Sequence, residues 1–428
     1  MTLTSRVLTI SLLAMACPNL QAGDAPLPWQ RGTYDPDWAE VAPRQTKRVT
    51  YNLAVSETAN GESLLRAFAT LVPGDRLEVE AGRYVIAPKA SLNLQGSANA
   101  PIWIVAADPD HPPVITRPDA RQNLLNVGEN KPCRYLALQN LELTGGSVII
   151  RFYDCANVWL DRCELHHGQH GGITVNSRDT SFMYITRNHL HDFPSGTGEA
   201  MYLGANNSKV RMSYSVIAAN HVHDCGGDQG DGIELKQGSF NNWLVENHIH
   251  DTHYPCLIAY GTDGKGVNVI ERNVCYRSGD NTMQVQGEAI VRDNVIMAGR
   301  GAGFASTDHQ GKTRMLHVVN NTIITAGRGV NLSSWNGREG MVLANNAIYS
   351  RDEAAVRFPN GAAGVTVRGN VVLGAVQGVS GGTTNGRGLE DFVSVAWDGS
   401  RRDVTPARGS ALIGRADPEF TTPTDLHG

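Results

Sequence analysis

The sequence predicts an all-β chain wound into a right-handed parallel β-helix, and three observations predict it. First, a pattern of apolar-x-x-Asn-x-apolar recurs at Asn188, Asn220, Asn247, Asn273, Asn294, Asn321, Asn346 and Asn370, with spacings of 32, 27, 26, 21, 27, 25 and 24 residues. Cys163 holds the same place one repeat earlier. Second, each repeat carries another strand-like run, among them Gly172-Ile173-Thr174-Val175, Ala200-Met201-Tyr202-Leu203, Gly232-Ile233-Glu234-Leu235, Thr282-Met283-Gln284-Val285 and Gly329-Val330-Asn331-Leu332. Third, the repeats contain no helical run, and the L-x-x-L-x-L consensus of a leucine-rich horseshoe is absent. A repeat of some two dozen residues with several short strands is the signature of a stacked β-solenoid. One Asn per turn then forms a ladder at a corner, each amide bonding the next.

The repeat also sets which residues are neighbours. Side chains alternate between the two faces of a strand, so Ile173, Met201, Ile233, Leu257, Met283, Phe304, Val330 and Val356 form one inward stack. On the outer face Thr174, Tyr202, Glu234, Ile258 and Gln284 form one row, and Asn176, Gly204, Lys236, Tyr260 and Gln286 the next. His170, Glu199, Asp231 and Pro255 stand where the chain enters this sheet, with Asp228 just before Asp231. Acids, a Lys, two Tyr and a His thus converge on a few coils, whereas later coils put Ala305, Ser306, Thr307 and Ser333 in those rows. That gradient points to a functional face rather than a solvated one; an isolated surface pair such as Glu234 and Lys236 would contribute only about 0–1 kcal/mol.

Ahead of the array, Leu64, Leu65, Phe68 and Leu71 have helical spacing, with Asn60 as the expected cap and Pro73-Gly74-Asp75 as the stop. A short amphipathic helix there covers the open end of the sheet. The expected organisation is an export signal over 1–22, a Pro-rich lead-in over 23–59, the β-helix over 60–380 and a C-terminal extension over 381–428 packing on the helix end. Arg6, the apolar run from Val7 to Ala16, and Leu20-Gln21-Ala22 make the signal. It implies a periplasmic or extracellular protein; a lipid anchor on Cys17, after Ala14-Met15-Ala16, is the lesser alternative. No segment has the length of a membrane span.

The 428 residues carry a formal net charge of −5, which argues against a general nucleic-acid binder. A monomer acting on an acidic polysaccharide is compatible with that charge, because local Arg and Lys clusters act inside a mildly acidic molecule. In an oxidising compartment Cys133 and Cys155, one coil apart, are able to pair, while Cys163 and Cys275 sit at core-like positions. No zinc-type Cys/His spacing occurs. A second stack joins His166, His191, His223 and His250, three of them followed by Asp192, Asp224 and Asp251. Imidazole and carboxylate at this spacing suit a metal or a proton relay, but repetition in every coil reads as architecture. Arg277, Arg300 and Arg328 recur on later coils as candidate partners of an anionic chain. Trp243 and Trp335 are candidates for stacking on sugars or for turn packing.

The run Pro73-Gly74-Asp75, Gly82-Arg83-Tyr84 and Ala100-Pro101-Ile102, with the β-helix and its short cap, resembles the pectate-lyase-like proteins. Within them it is similar to the alginate and chondroitin lyases of polysaccharide lyase family six. The resemblance implies a Lys base before an Asn-bearing turn, an Arg on the next coil and acidic calcium ligands just upstream. Lys236, followed by Asn247-His248-Ile249, falls on the Lys position; Asp231 and Gln229 fall on ligand positions, with Asp228 beside them and Glu199 near the ligand from the previous coil. Tyr260 occupies the Arg position, a departure from the family pattern.

β-Elimination from a uronic acid polymer requires loss of the C5 proton, which is weakly acidic until the carboxylate is neutralised. Calcium on hard oxygen ligands does this, as do Arg or Gln donors. A Lys base must be neutral, which desolvation or nearby positive charge favours and a lone Glu234 opposes. The expectation is therefore a lyase with Lys236 as base, Tyr260 as acid, Glu234 beside them, and Ca2+ held by Glu199, Asp228, Asp231 and Glu234. His170, Tyr202, Gln284, Gln286, Arg277 and Arg300 are the expected substrate contacts. Alternatives on the same groove are a glycoside hydrolase using two carboxylates, a uronate C5-epimerase, or a non-catalytic carbohydrate-binding β-helix.

Overall fold

The computed structural model describes residues 27–422, so the expected export signal and Cys17 lie outside the described residues. Every coil of the solenoid runs through three parallel strand rows. The first row is a sheet of 14 strands; the second and third are joined in one sheet of 23. One coil shows the order: Cys155–Asp161 in the first row, Glu164–His166 in the second, Gly171–Val175 in the third, then Thr180–Thr186 back in the first beside Cys155–Asp161.

The corner between the first and second rows explains the Asn repeat. Asn188 Nδ2 donates to Asn220 Oδ1 (3.0 Å), Asn220 to Asn247 (2.9 Å), Asn247 to Asn273 (2.9 Å), and so on to Asn346 and Asn370 (2.9 Å). The same Oδ1 also accepts the backbone N–H of the Asn one coil earlier, as Asn247 Oδ1 does from Asn220 (3.1 Å). The other amide proton reaches a carbonyl, Ile217 O for Asn247 (2.9 Å). Cys163 starts the ladder by donating its N–H to Asn188 Oδ1 (2.9 Å). The residue before each Asn is left-handed, with φ of 55° at Arg187, 54° at Ala219 and 54° at Glu246. That bend turns the chain inward and would leave buried backbone groups without partners; the Asn amide supplies them.

The inward stack runs in register from Ile173 through Met201, Ile233, Leu257, Met283, Phe304 and Val330 to Val356, all fully buried. Six described cysteines are buried free thiols. Cys133 and Cys155 face each other in register without pairing, and the Cys155 thiol donates to Val127 O (3.3 Å).

The N-terminal helix α1 spans Glu57–Ala69, and its cap is Ser56 rather than Asn60. Ser56 Oγ accepts the Ala59 N–H (3.1 Å), while Asn60 lies buried inside the helix and bonds the backbone of Asn52. Leu64 and Phe68 enter the core. Gly61 is required where α1 meets the first coil, because a Cβ would fall 2.0 Å from Val85 O. Gln45–Val49, within the stretch read as a lead-in, already pairs with Asp75–Val79 as a strand of the first row.

Two segments cover outer faces. Tyr34 and Trp38 lie on the first row, where Trp38 meets Trp103 (5.6 Å between rings) and Tyr34 meets Trp243 (5.2 Å). The C-terminal segment begins by stacking Thr383–Asn385 on the last coil strand, Asn370–Gln377. Its later part lies along the flank, with Phe392 and Val395 packed among Tyr276, Met297, Ile324 and Tyr349. Buried Asp391 fixes it by accepting the Tyr349 hydroxyl (2.7 Å) and the Ala411 amide (2.8 Å). Among the described residues no helix is long and apolar enough to cross a membrane.

Two outcomes follow from this architecture. Asn247→Ala removes the acceptor of one buried amide and the donor to the next, and unpartnered buried groups cost about 1–3 kcal/mol each. Urea unfolding is expected to show a loss of about 3 kcal/mol or more, against near-neutral effects at exposed polar positions. Asp293, beside the ladder, is pushed up to about 6 from 3.8 by burial, against the opposing charge of Arg292. The folded state therefore binds its proton more tightly than the unfolded chain, and Asp293 lowers stability as pH rises from about 4 through 6. Asp293→Asn is expected to gain stability relative to the parent across that window and then level off, as read from the difference between the two pH–stability curves.

Candidate active site

The outer face of the third row gathers the acidic and aromatic residues. In register, Tyr202 stands beside Glu234, Glu234 beside Ile258, and Ile258 beside Gln284. One step along, Lys236 N bonds Leu203 O (2.8 Å) and Tyr260 N bonds Leu235 O (3.0 Å), which sets Lys236 and Tyr260 one coil apart on the same side.

Lys236 is not the exposed side chain that an outer-face position implied. It is 4% exposed, and its Nζ donates to Glu234 Oε1 (2.5 Å). The ammonium also lies over the Tyr202 ring (4.3 Å) and near that of Tyr260 (5.4 Å), so cation–π attraction adds to the ion pair. Tyr260 donates its hydroxyl to the same Glu234 oxygen (3.3 Å). Burial first, then Glu234, pushes the Tyr260 hydroxyl well above the usual tyrosine range. Tyr202 is pushed up in the same way. Tyr260 thus keeps its proton.

Asp231 is pressed between coils by the glycines on each side: a Cβ at Gly230 would lie 2.3 Å from Cys225 O, and one at Gly232 2.4 Å from Cys256 O. It is buried, and its Oδ1 has no hydrogen-bond partner. Desolvation, then Glu234 and Glu199, push its carboxyl well above the ordinary range, against the pull of Lys236. Glu199, also buried, is raised chiefly by desolvation. Asp280 adds to the negative potential at Asp231. The sequence reading missed it, though following the entry row one coil beyond Pro255 leads to Asn281 and its neighbour Asp280.

The other expected residues divide. Tyr202 and Gln284 line the face; Gln284 Oε1 accepts from Asn281 Nδ2 (3.3 Å). His170 is exposed on an earlier coil, and Asp228 is exposed in the turn before Asp231, its amide bonded to Gly196 O (2.9 Å). Gln286 is buried and holds a loop instead of facing substrate: its Nε2 donates to Thr307 O (3.1 Å) and Gly311 O (3.2 Å). The loop sets the His309 ring against that of Tyr260 (5.7 Å). His309 comes from a stretch outside the repeat, so no periodicity marks it. Arg277 is in the second row, stacked on Tyr276 and paired with Asp251 (2.7 Å), away from this face. Arg300 is exposed at the turn after Val295–Gly299. Neither tryptophan is available to a sugar: Trp243 is buried under Tyr34 with its Nε1 on Glu271 (2.9 Å), and Trp335 is fully buried against Phe358.

As a cation site the face is apt in kind. It offers hard carboxylate oxygens, one of them buried and unpartnered, at side chains that resist ionising together. The oxygens of Glu199, Asp231 and Glu234 are not gathered as closely as the ligand sets within 4.8 Å of one another, which among the described residues belong to the second row and are rich in His.

The chain matches the family described as right handed beta helix region over residues 130–265 and 213–348, and it belongs to that family. No curated protein sequence matches it. Among solved structures it is similar to the pectate lyase Pel9A, at 16% identity and a TM-score of 0.50, over 89% of this chain and 96% of that one. It is also similar to a variant of the PL6 family alginate lyase AlyGC, at 13% identity and a TM-score of 0.53, over 89% of this chain and 59% of the lyase. The catalytic domain of a GH87 alpha-1,3-glucanase matches at 12% identity and a TM-score of 0.44, over 81% and 70% of the two chains. At these identities the likeness is one of fold.

The site geometry makes one stability prediction. Lys236→Ala leaves Glu234 buried without its cation, and removing one partner of a buried pair costs about 3–5 kcal/mol. Lys236→Met with Glu234→Gln is expected to recover most of that loss in urea unfolding, because neither charge is then left alone.

Proposed function

We propose that the protein is a secreted or periplasmic polysaccharide lyase that cleaves an acidic, uronic-acid-containing polymer by β-elimination. The observation that carries this reading is the contact set of Lys236, Glu234 and Tyr260, two proton-transfer groups sharing one carboxylate a single coil apart. Lys236 Nζ takes the C5 proton, and Tyr260 gives its hydroxyl proton to the leaving glycosidic oxygen on the same side of the sugar. The C5–H and C4–O bonds break while a C4–C5 double bond forms, so no water is consumed. Nζ accepts a proton only as the neutral amine, so substrate or a cation must draw Glu234 away from it. Glu199, Asp231 and Glu234 would hold Ca2+, which when bound neutralises the uronate carboxylate and so acidifies C5. Tyr202, Gln284 and the exposed His170 and Arg300 are the remaining candidates for binding along the groove.

A hydrolase on the same face is the second reading, favoured by Asp231, whose raised carboxyl suits a general acid beside Glu234. A panel of alginate, pectate and glycosaminoglycans, assayed for reducing ends and for absorbance of the unsaturated product, separates the two. The lyase gives both signals; a hydrolase gives the first alone.

Lys236→Arg is expected to retain a cation for Glu234 and to lose nearly all turnover, because a guanidinium does not accept the proton. Tyr260→Phe is expected to lower kcat by about 10²- to 10⁴-fold. Full activity in Lys236→Arg alongside loss in Asp231→Asn transfers the role to the carboxylates. Exhaustive chelation is expected to lower both activity and melting temperature, and re-addition of Ca2+ to restore them; unchanged values remove calcium from the scheme.

A further inference from the structure

The second row carries a cluster that the proposed reaction does not use. His166, His191, His223 and His250 stack in register, and a second column, Glu164, His189, His221 and His248, runs beside it. Both columns face outward and are half-buried.

The columns lean together. His189 Nε2 lies 2.8 Å from His223 Nε2, and His221 Nε2 lies 2.9 Å from His250 Nε2. The adjacent carboxylates fix the tautomers: the His223 Nδ1–H donates to Asp224 Oδ2 (2.6 Å) and that of His250 to Asp251 Oδ2 (2.6 Å). Each of these rings therefore turns a lone pair at Nε2 toward its neighbours. Ligand atoms of His189, His221 and His223 all lie within 4.8 Å of one another. Four-coordinate Zn2+ takes imidazole nitrogens at about 2.0–2.1 Å, and its ligating His residues characteristically pass the other ring proton to a carboxylate. Farther along, His248 Nε2 is engaged by the Tyr276 hydroxyl (3.1 Å), so the better position is the earlier one.

We propose that His189, His221 and His223 bind a borderline transition-metal dication of the Zn2+ type, clamping two successive coils, with Asp224 orienting His223. The site lies on a different row from the Lys236 face and takes a softer ion than the carboxylates there. The sequence reading followed one column alone, which reads as architecture; the His-x-His pairs His189 and His191, His221 and His223, and His248 and His250 add the second column that makes a ligand set.

The test uses the full chain stripped with chelator and titrated with Co2+ as a spectroscopic stand-in for Zn2+. A saturable visible band of tetrahedral cobalt, displaced by Zn2+ and not by Ca2+, is expected, with a rise in thermal midpoint. His221→Phe, which keeps a stacked ring, is expected to abolish the band. Asp224→Asn, at an exposed side chain, is expected to weaken Co2+ binding about 10- to 100-fold while leaving the metal-free midpoint unchanged. Glu199→Gln is expected to bind Co2+ as the parent does, whatever becomes of its catalysis. No band and no midpoint shift, displacement by Ca2+, or undiminished binding in both second-row variants overturns the site; the columns are then hydrogen-bonded imidazoles serving only the fold.

Discussion

The corner between the first and second rows is the constraint on which the rest depends. A chain that turns sharply at every coil exposes buried backbone groups at every turn, and in a solenoid no later element arrives to bond them. One Asn per coil solves this locally, because its side chain both accepts from the coil before and donates to the coil after. The ladder therefore fixes the coil-to-coil register. Register in turn decides which side chains meet on the outer faces, since a slip of one residue would exchange inner and outer positions. Glu234 meets Tyr260, and His189 meets His223, because Asn188, Asn220 and Asn247 are stacked.

The same constraint shows why the two outer faces differ. The third row holds buried carboxylates around Asp231, where every negative charge raises the cost of the next. The second row holds crowded imidazoles, of which His189 and His221 are held below the usual histidine range by burial and by their neighbours. One face wants a hard cation or a proton, the other a softer ion or an internal hydrogen bond. A repeat that copies one backbone turn many times lets each face accumulate a single kind of chemistry. The later coils are freed from that duty, and their flank is covered by the segment around Phe392 and Val395.

Much of the fold was legible because period and register are written in the sequence. The inward stack from Ile173 to Val356, the outer row from Thr174 to Gln284 and the His166 column all follow once the Asn positions are aligned. What was hidden depends on groups outside the repeat. Ser56 caps α1 because the helix starts earlier than its apolar spacing, and Asn60 is spent on Asn52. The burial of Lys236 arises from two tyrosines and a carboxylate closing over it, whereas a period-two rule gives only its face. Gln286 was read as a substrate contact because the loop it holds, with His309 at its tip, has no periodic signal. Arg277 was read as a substrate contact, but it stands on the second row paired with Asp251 one coil back, and the spacing of arginines alone does not reveal such a partner.

The central claim is that the Lys236 face breaks a glycosidic bond by elimination, and the origin of the oxygen atoms in the product tests it most directly. Cleavage of the preferred acidic polysaccharide would be run in heavy-oxygen water and the fragments weighed by mass spectrometry. Elimination predicts fragments that together gain no solvent oxygen, with one new end carrying the C4–C5 double bond. One heavy oxygen incorporated per bond cleaved, with saturated ends, would contradict the account and assign the face to hydrolysis.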